Sequence, residues 1–162
     1  METTEFVFRP ATSEDCRLLW EWANDPAVRA ASFISKVIPW EEHVQWFQTK
    51  LKSPNAILWI VENSAQAPIG LVRFETNETE ATISISLDQR FRNKGYGSNV
   101  IRLAIQKLFD TSQVQVVHAY IRPENEPSVH AFRKANFDVM GFQKVHDQPA
   151  LHMVSQFGQR ST

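Results

Sequence analysis

The chain has 162 residues, of which 43% are apolar and 22% charged, and its formal net charge is −1. These values are typical of one soluble globular domain and give no general reason to expect a nucleic-acid or membrane partner. The one cysteine, Cys16, excludes an internal disulfide and suits a reducing compartment. The N-terminus lacks the basic and then apolar layout of a signal peptide, so we expect a cytoplasmic protein.

The first half of the chain predicts a strand, two helices and an irregular stretch between them. Residues 6–8 form the strand, and residues 16–23 place apolar side chains at i, i+3, i+4 and i+7, the spacing of one helix face. This helix ends at 24–26, because proline disfavours helix in the residue before it. Residues 27–38 show no regular pattern. A second helix begins after Pro39, where a proline is well placed.

The second helix carries aromatic residues on two sides. One apolar stripe consists of Trp40, Val44, Phe47 and Leu51. His43 begins another stripe, and we expect it to be a partly exposed helix residue and not a catalyst. A helix with aromatic residues on two sides is expected to lie between the sheet and a further element.

Three strands then follow in close succession, over 56–61, 69–74 and 81–87. The turns between them are short, which indicates an antiparallel meander. In the third strand apolar residues alternate with Thr82, Ser84 and Ser86, so its two faces differ. The hydroxyl face either leaves room for a ligand or is a solvated face of the sheet.

A glycine loop opens the next helix and is the strongest local signal in the chain. Its sequence is Arg92-Asn93-Lys94-Gly95-Tyr96-Gly97-Ser98. The first backbone N–H groups of a helix have no partner inside it, and the helix dipole adds positive charge there. Such a turn binds anions, most often phosphate, and glycine allows close approach. With Arg90 beside it, the loop is predicted to hold a diphosphate.

The helix after the loop leads into a β-branched strand at 114–121, which completes a βαβ unit. This strand should therefore run parallel to strand 81–87. Asn125 is a candidate N-cap for a further helix, with a proline in its first turn. Residues 137–145 and 150–157 predict a closing hairpin.

Two common diphosphate sites do not fit these residues. A Walker loop needs Gly-x-x-x-x-Gly-Lys-Ser/Thr, which the sequence lacks. A dinucleotide fingerprint needs a third glycine where this chain has Val100, and an acidic residue about twenty positions further on, where it has Val117-His118-Ala119-Tyr120. The remaining pattern is Arg/Gln-x-x-Gly-x-Gly/Ala after a strand in a mixed sheet.

The glycine loop resembles that of the GNAT family of acetyl-coenzyme A-dependent N-acetyltransferases. A second matching block is Ile121-Arg122-Pro123-Glu124-Asn125, continued by Ser128, Phe132, Lys134 and Phe137. The resemblance covers nearly the whole chain and implies a single α/β domain of the α+β type over 1–157, with a tail at 158–162. It implies a mixed, mostly antiparallel sheet with about four flanking helices. It also implies a V-shaped splay between the parallel strands 81–87 and 114–121.

The resemblance further implies where acetyl-CoA binds. The backbone of the loop, from Arg92 to Ser98, holds the diphosphate of the coenzyme. The backbone of Ile85, Ser86 and Leu87 pairs with the pantetheine arm as an added strand would. Asn125 binds the arm from the other side, with Ser128 and Phe132 beside it. No metal ion is expected.

The chain departs from the family at the usual positions of the acid and the base. Many members have a tyrosine acid where this chain has Phe132, and a glutamate base where it has Tyr120. The candidate catalytic residues are therefore Tyr120, His118, Glu75 and Ser128. Each has a simpler interpretation: ring packing for Tyr120, a structural role for His118, a solvated turn for Glu75 and close helix packing for Ser128.

The first half of the chain indicates the acceptor. Its segments 20–29 and 40–47 resemble N-acetyltransferases for nucleotide-linked amino sugars, as in pseudaminic and legionaminic acid synthesis, and the related ribosomal-protein N-terminal acetyltransferases. Trp22 and Asn24 are predicted to line the acceptor site, although Trp22 also fits packing against a neighbouring helix. Arg29 or Arg73 is predicted to meet a nucleotide phosphate.

Three functions follow from these patterns. The favoured one is acetyl transfer to the primary amine of a nucleotide-linked amino sugar. The second is N-terminal acetylation of a protein, and the third is a non-catalytic acetyl-CoA-binding module, because the usual acid and base are replaced. The expected partner is a small amine, neither nucleic acid nor membrane, and the many aromatic residues would allow a homodimer.

Overall fold

The structure is a computed structural model that describes residues 5–158, so that of the predicted tail only Gly158 falls within it. The strands in this range are β1 (Val7–Pro10), β2 (Ala56–Glu62), β3 (Pro68–Asn77), β4 (Glu80–Leu87), β5 (Val116–Ile121), β6 (Asp138–Val145) and β7 (Gln148–Gln156). The α-helices in this range are α1 (Cys16–Ala23), α2 (Pro26–Ala31), α3 (Trp40–Lys52), α4 (Tyr96–Thr111) and α5 (Glu126–Lys134).

The strands form one sheet in the order β1-β2-β3-β4-β5-β7-β6. All neighbours pair antiparallel except β4 and β5, which are parallel. The β4–β5 ladder joins only 80–82 to 116–118, although β4 continues to Leu87 and β5 to Ile121. The strands diverge beyond that point, which confirms the predicted mixed sheet and its V-shaped splay.

Helices cover the sheet on both faces. On one face α4 buries Val100, Ile101, Ala104, Ile105 and Leu108 in a core that also includes Phe74, Ile83, Val117 and Met153 of the strands. On the other face α1 and α3 pack around Leu19 and Phe47 against Leu58 and Ile60. Since alternate residues of a strand face opposite sides, Ser84 and Ser86 lie on the face of α1 and α3.

The structure departs from the predicted elements in the first half of the chain. A short helix, α2, begins at Pro26 with Asp25 as its N-cap and occupies the first part of the stretch 27–38. With it, residues 5–158 contain five α-helices instead of about four. Strand β1 runs on to Pro10, because an edge strand tolerates proline. Every helix within residues 5–158 is too short or too polar to cross a membrane.

The expectation that His43 is partly exposed is wrong. Its side chain is only 3% exposed, because α3 turns His43 and Phe47 towards the sheet and leaves Trp40 and Leu51 outside. The His43 Nε2 lies 2.9 Å from the Cys16 carbonyl oxygen, to which it donates in the neutral state. This bond satisfies the polar atom that the burial of the ring would otherwise leave unpaired.

Candidate active site

The divergence of β4 and β5 leaves backbone groups of β4 facing a gap. The Asp88 N–H donates to the Ile69 carbonyl at 2.8 Å, and the β3–β4 register has no bulge. Because backbone groups alternate between the two edges of a strand, those of Ile85 and Leu87 point towards β5. The Leu87 carbonyl accepts a bond from Arg92 Nε at 3.0 Å, while no β5 residue pairs with Ile85 within the described range.

The same reasoning places backbone groups of β5 at the gap. The Phe157 N–H donates to the Gln115 carbonyl at 2.8 Å, so residues of β5 at odd positions pair with β7 and Tyr120 points towards β4. The gap therefore has strand-like donors and acceptors on both sides. Such an edge accepts an extended chain as an added strand.

The glycine loop directly follows β4 and forms the start of α4. Gly95 precedes the helix with φ at +78°, a left-handed conformation that favours glycine. No side chain of the described residues caps the helix, so its first N–H groups are available to an anion. A Cβ at Gly97 would lie 3.4 Å from the Cβ of Ala131 on α5. The loop thus has the geometry of the predicted diphosphate site.

Two aspartates hold this loop in place. Asp25 forms an ion pair with Arg92 at 3.2 Å. Asp88 accepts bonds from Arg90 at 3.0 Å and from the Trp22 indole nitrogen at 2.8 Å. The Arg90 guanidinium is the main cause that lowers the pKa of Asp88 to about 2. The side chains of Arg90, just before the loop, and of Arg92, its first residue, are therefore engaged within the protein.

A cavity of about 310 Å³ opens where β4 and β5 diverge. Its wall is formed by residues of α1, α2 and α3 and by residues of β3, β4, β5 and α5. Leu87 and the glycine loop at 92–98 lie outside this wall. The predicted site residues in the wall are Ile85, Ser86, Tyr120, Asn125, Ser128, Phe132, Arg29 and Arg73. Further wall residues that the sequence patterns did not single out for the site include Phe33, Trp46, Ser84 and Arg122. The cavity lies on the face of α1 and α3, where the strand residues with small hydroxyls leave room.

The Tyr120 ring is held by stacking. It lies parallel to the His152 ring, with centroids 4.8 Å apart and an interplanar angle of 8°. Sequence reasoning missed His152, although one signal was present: it is the polar residue between the buried Leu151 and Met153 of β7. The neighbours of Tyr120 in the sheet thus fix the plane of its ring.

Two predicted catalytic residues lie outside the cavity wall. Glu75 forms an ion pair with Lys50 at 2.6 Å. His118 is held at both ring nitrogens: its Nε2 lies 2.6 Å from Glu80 Oε1, and its Nδ1 lies 2.8 Å from His152 Nε2. The structure gives both residues partners that sequence spacing did not indicate.

Two predicted acceptor residues also lie outside the wall. Trp22 is 7% exposed and donates to Asp88, so it connects α1 to the glycine loop. Asn24 accepts from the Ile38 N–H at 2.8 Å and donates to the Ile38 carbonyl at 2.9 Å. Both side chains stabilise the loops around the cavity without lining it.

The comparison with protein families decides the class of protein. Residues 5–138 match the family described as acetyltransferase (GNAT) domain. The chain belongs to the GNAT acetyltransferase family. It is therefore an acetyl-CoA-dependent N-acetyltransferase, as its two sequence blocks predict. Amines are the acceptors in this class, and the particular amine must be argued from the cavity.

Two curated relatives match most of this chain. Acetyltransferase PseH of Campylobacter jejuni is 23% identical over 133 residues, which is 82% of each chain. The uncharacterized protein MJ1062 of Methanocaldococcus jannaschii is 25% identical over 139 residues, or 84% of this chain. The present chain spans only 28% of the length of MJ1062.

Solved structures of acetyltransferases share the fold. The aminoglycoside acetyltransferase AAC(6')-Ib, in complex with ribostamycin and coenzyme A, superposes with a TM-score of 0.85 at 19% identity, over 96% of this chain and 98% of that one. Spermidine N-acetyltransferase from Vibrio cholerae, in complex with CoA and spermine, has a TM-score of 0.86 at 18% identity, over 96% and 97% of the two chains. At these identities the likeness is one of fold.

Proposed function

We propose that this GNAT enzyme acetylates the primary amine of a nucleotide-linked amino sugar by direct transfer in a ternary complex. The observation that carries the proposal is the cavity at the β4–β5 splay. It places the open edge of β4, which the glycine loop follows directly in the chain, beside a wall of aromatic and polar side chains from the first half of the chain. One site thereby offers room for both a donor and an acceptor.

The donor side fits the coenzyme. The N–H groups at the start of α4 receive its diphosphate, and the exposed Lys94 adds a positive charge. The unpaired backbone groups of Ile85 accept the pantetheine arm as an added strand. Asn125 and Ser128 lie on the opposite wall. Acetyl-CoA supplies an activated thioester, so the protein needs no covalent nucleophile.

The remaining task of the protein is to place donors and move protons. The backbone N–H groups of Ile85 and Tyr120 face the gap and are the donors available to a carbonyl oxygen held there. Tyr120 belongs to the cavity wall, and its hydroxyl is the proposed proton donor to the leaving thiolate. Ser128 is a second hydroxyl in the wall. Tyr120 of β5 thus supplies the proton that Phe132, at the position of the usual acid, cannot donate.

The acceptor side fits a sugar. Trp46, Phe33 and Tyr120 supply rings, and Ser84 and Ser86 supply hydroxyls on the same cavity wall. A sugar places its apolar face on such rings and its hydroxyls on such polar groups. The match to acetyltransferase PseH spans 82% of this chain.

The proposal is tested by thiol release from acetyl-CoA with a panel of amines. We expect UDP-glucosamine to raise thiol release above that of a peptide with a free N-terminus, of kanamycin and of spermidine, with an acetylated sugar nucleotide identified by mass. Release with the peptide alone would replace this acceptor by a protein N-terminus. Coenzyme binding without release by any amine would indicate a non-catalytic module.

A further inference from the structure

The charged side chains of the cavity wall within residues 5–158 are all arginines. Within residues 5–158 the wall includes Arg29, Arg73 and Arg122 and has neither an aspartate nor a glutamate. Spermidine and aminoglycosides, the substrates named for the structural neighbours, carry several positive charges. A wall with arginines and without carboxylates disfavours such polycations, because like charges repel strongly in a partly desolvated site.

Two of these arginines are engaged by backbone carbonyls. Arg29 donates to the carbonyl of Ala23 at 2.7 Å and to that of Ile34 at 2.9 Å. Arg122 donates to the carbonyl of Ala30 at 2.8 Å and pairs with Glu124 at 3.1 Å. Both side chains therefore fix the segment that follows α2 beside the cavity.

Arg73 has a different environment. Its guanidinium lies 5.2 Å from the ring centroid of Trp46, and its bond to Ser84 Oγ is long, at 3.4 Å. Within the described chain no carboxylate lies at salt-bridge distance from Arg73. The nearby Glu75 interacts with it electrostatically but forms its ion pair with Lys50, at 2.6 Å. A guanidinium has five N–H donors and stays charged at neutral pH, so most of the Arg73 donors have no anionic partner.

The absence of an anion paired with Arg73 is energetically unfavourable because of where the side chain lies. The side chain is half-buried in the cavity wall. Desolvation lowers its pKa, and the charge of Glu75 offsets only part of this shift. A desolvated cation without an anion destabilises a fold unless a ligand supplies the missing charge. Stacking on Trp46 holds the guanidinium plane in one orientation, as is common where arginine recognises planar or forked acceptors.

We propose that Arg73 anchors a phosphate group of the acceptor, with Trp46 and Ser84 as the residues that position its guanidinium. The inference rests on the proposed function, because it assigns one part of the nucleotide-linked sugar to one side chain. A guanidinium fork binds phosphate through two parallel N–H bonds. Arg73 therefore selects phosphorylated amines over the same amines without phosphate.

Binding of UDP tests the anchor without any acetyl transfer. The titration is done by calorimetry on the full chain with saturating coenzyme A, so that the glycine loop is already occupied. We expect Arg73→Met to weaken UDP binding roughly ten- to hundredfold, as for the loss of a charge-assisted pair. Arg73→Lys should retain part of the affinity. Arg17→Met, which removes an exposed arginine paired with Glu21 on α1, should change nothing.

Thermal unfolding without ligand separates this role from a structural one. If Arg73 anchors a ligand, Arg73→Met relieves an uncompensated charge, so the melting temperature stays equal or rises while UDP affinity falls. A structural arginine gives the opposite pair of results: a lower melting temperature and unchanged UDP affinity. That pair would overturn the proposal.

Acetyl transfer to UDP-glucosamine and to glucosamine distinguishes the two proposals from each other. We expect the wild type to prefer UDP-glucosamine in kcat/KM and Arg73→Met to lose most of that preference. Equal use of both amines by the wild type would refute the phosphate anchor and leave acetyl transfer to amino sugars intact. Arg73-dependent UDP binding without transfer to either amine would support the anchor and refute the proposed acceptor.

Discussion

Tyr120 is the residue on which the proposed proton transfer depends. Its ring stacks on His152 at 4.8 Å, and the His118 ring lies parallel to it at 6.3 Å. Glu80, His118 and His152 are linked in a row by bonds of 2.6 and 2.8 Å. These contacts hold the phenol in the cavity wall without using its hydroxyl for structure.

Removal of this hydroxyl is expected to slow the reaction. Tyr120→Phe keeps the stacked ring and loses only the O–H, so kcat should fall about a hundredfold, the lower end for loss of a general acid, while the KM for acetyl-CoA stays similar. The reference is the wild type. An unchanged kcat in Tyr120→Phe would remove Tyr120 from the mechanism.

His43 predicts a pH dependence of stability. Burial lowers its pKa below the ordinary value of 6.5, so below about pH 6.5 the unfolded chain binds a proton that the folded chain refuses. The free energy of unfolding should therefore fall as the pH drops from about 7.5 to about 5.5. His43→Gln should reduce this fall in denaturant titrations. A residual slope is expected from His152, whose pKa is also lowered, first by desolvation and then by His118.

Residue roles that depend on local motifs were predictable, and roles that depend on distant partners were not. Gly95 and Asn125 stand in recognisable motifs, and the structure gives them a left-handed turn and a helix cap. The importance of Asp88 rests on Trp22, which is distant in sequence and donates to it at 2.8 Å. The periodicity of a single segment does not reveal a hydrogen bond between residues that are distant in sequence.

At the scale of elements, α1 and the turn after it brace the glycine loop. Trp22 bonds to Asp88 just before the loop, and Asp25 pairs with Arg92 within it. Both bonds tie the first half of the chain to the start of α4. Trp22 was predicted to line the acceptor site, and the structure gives its indole nitrogen a partner beside the loop.

The brace is tested by the loss of one indole N–H. Trp22→Phe keeps a ring in the core and leaves Asp88 with one donor fewer, which should destabilise the fold by about 1–2 kcal/mol and raise the KM for acetyl-CoA several-fold. Trp20→Phe is the matched control, because its indole donates at the same distance of 2.8 Å to the carbonyl of Ile38, away from the loop. A change in KM for acetyl-CoA in both variants, or in neither, would contradict the brace.

The face that α3 turns towards the sheet was the hardest property of a single element to predict. Its sequence has two apolar stripes of the same spacing, and periodicity alone does not say which one faces the sheet. The structure buries one residue of each stripe, Phe47 and His43, and leaves Trp40 41% exposed. The bond from His43 to the Cys16 carbonyl is what makes burial of a polar ring acceptable.

At the scale of the whole molecule, the topology followed from sequence and the splay did not. Short turns predicted the β2-β3-β4 meander, and the βαβ rule predicted that β4 and β5 are parallel. The point at which the two parallel strands separate depends on packing of α4, α5 and the loops on the other face. The sequence of a single segment does not reveal this packing. The splay was expected only because the glycine loop and the Asn125 block resemble the GNAT family.

The central claim is that the donor lies along the diverging end of β4 with its phosphates at the start of α4. Amide hydrogen exchange with and without coenzyme A measures this directly, because bound backbone N–H groups exchange more slowly. We predict slower exchange in peptides that cover 83–87 and 95–99, and little change in β6. Protection confined to other segments, with none at 83–87 or 95–99, would contradict the account.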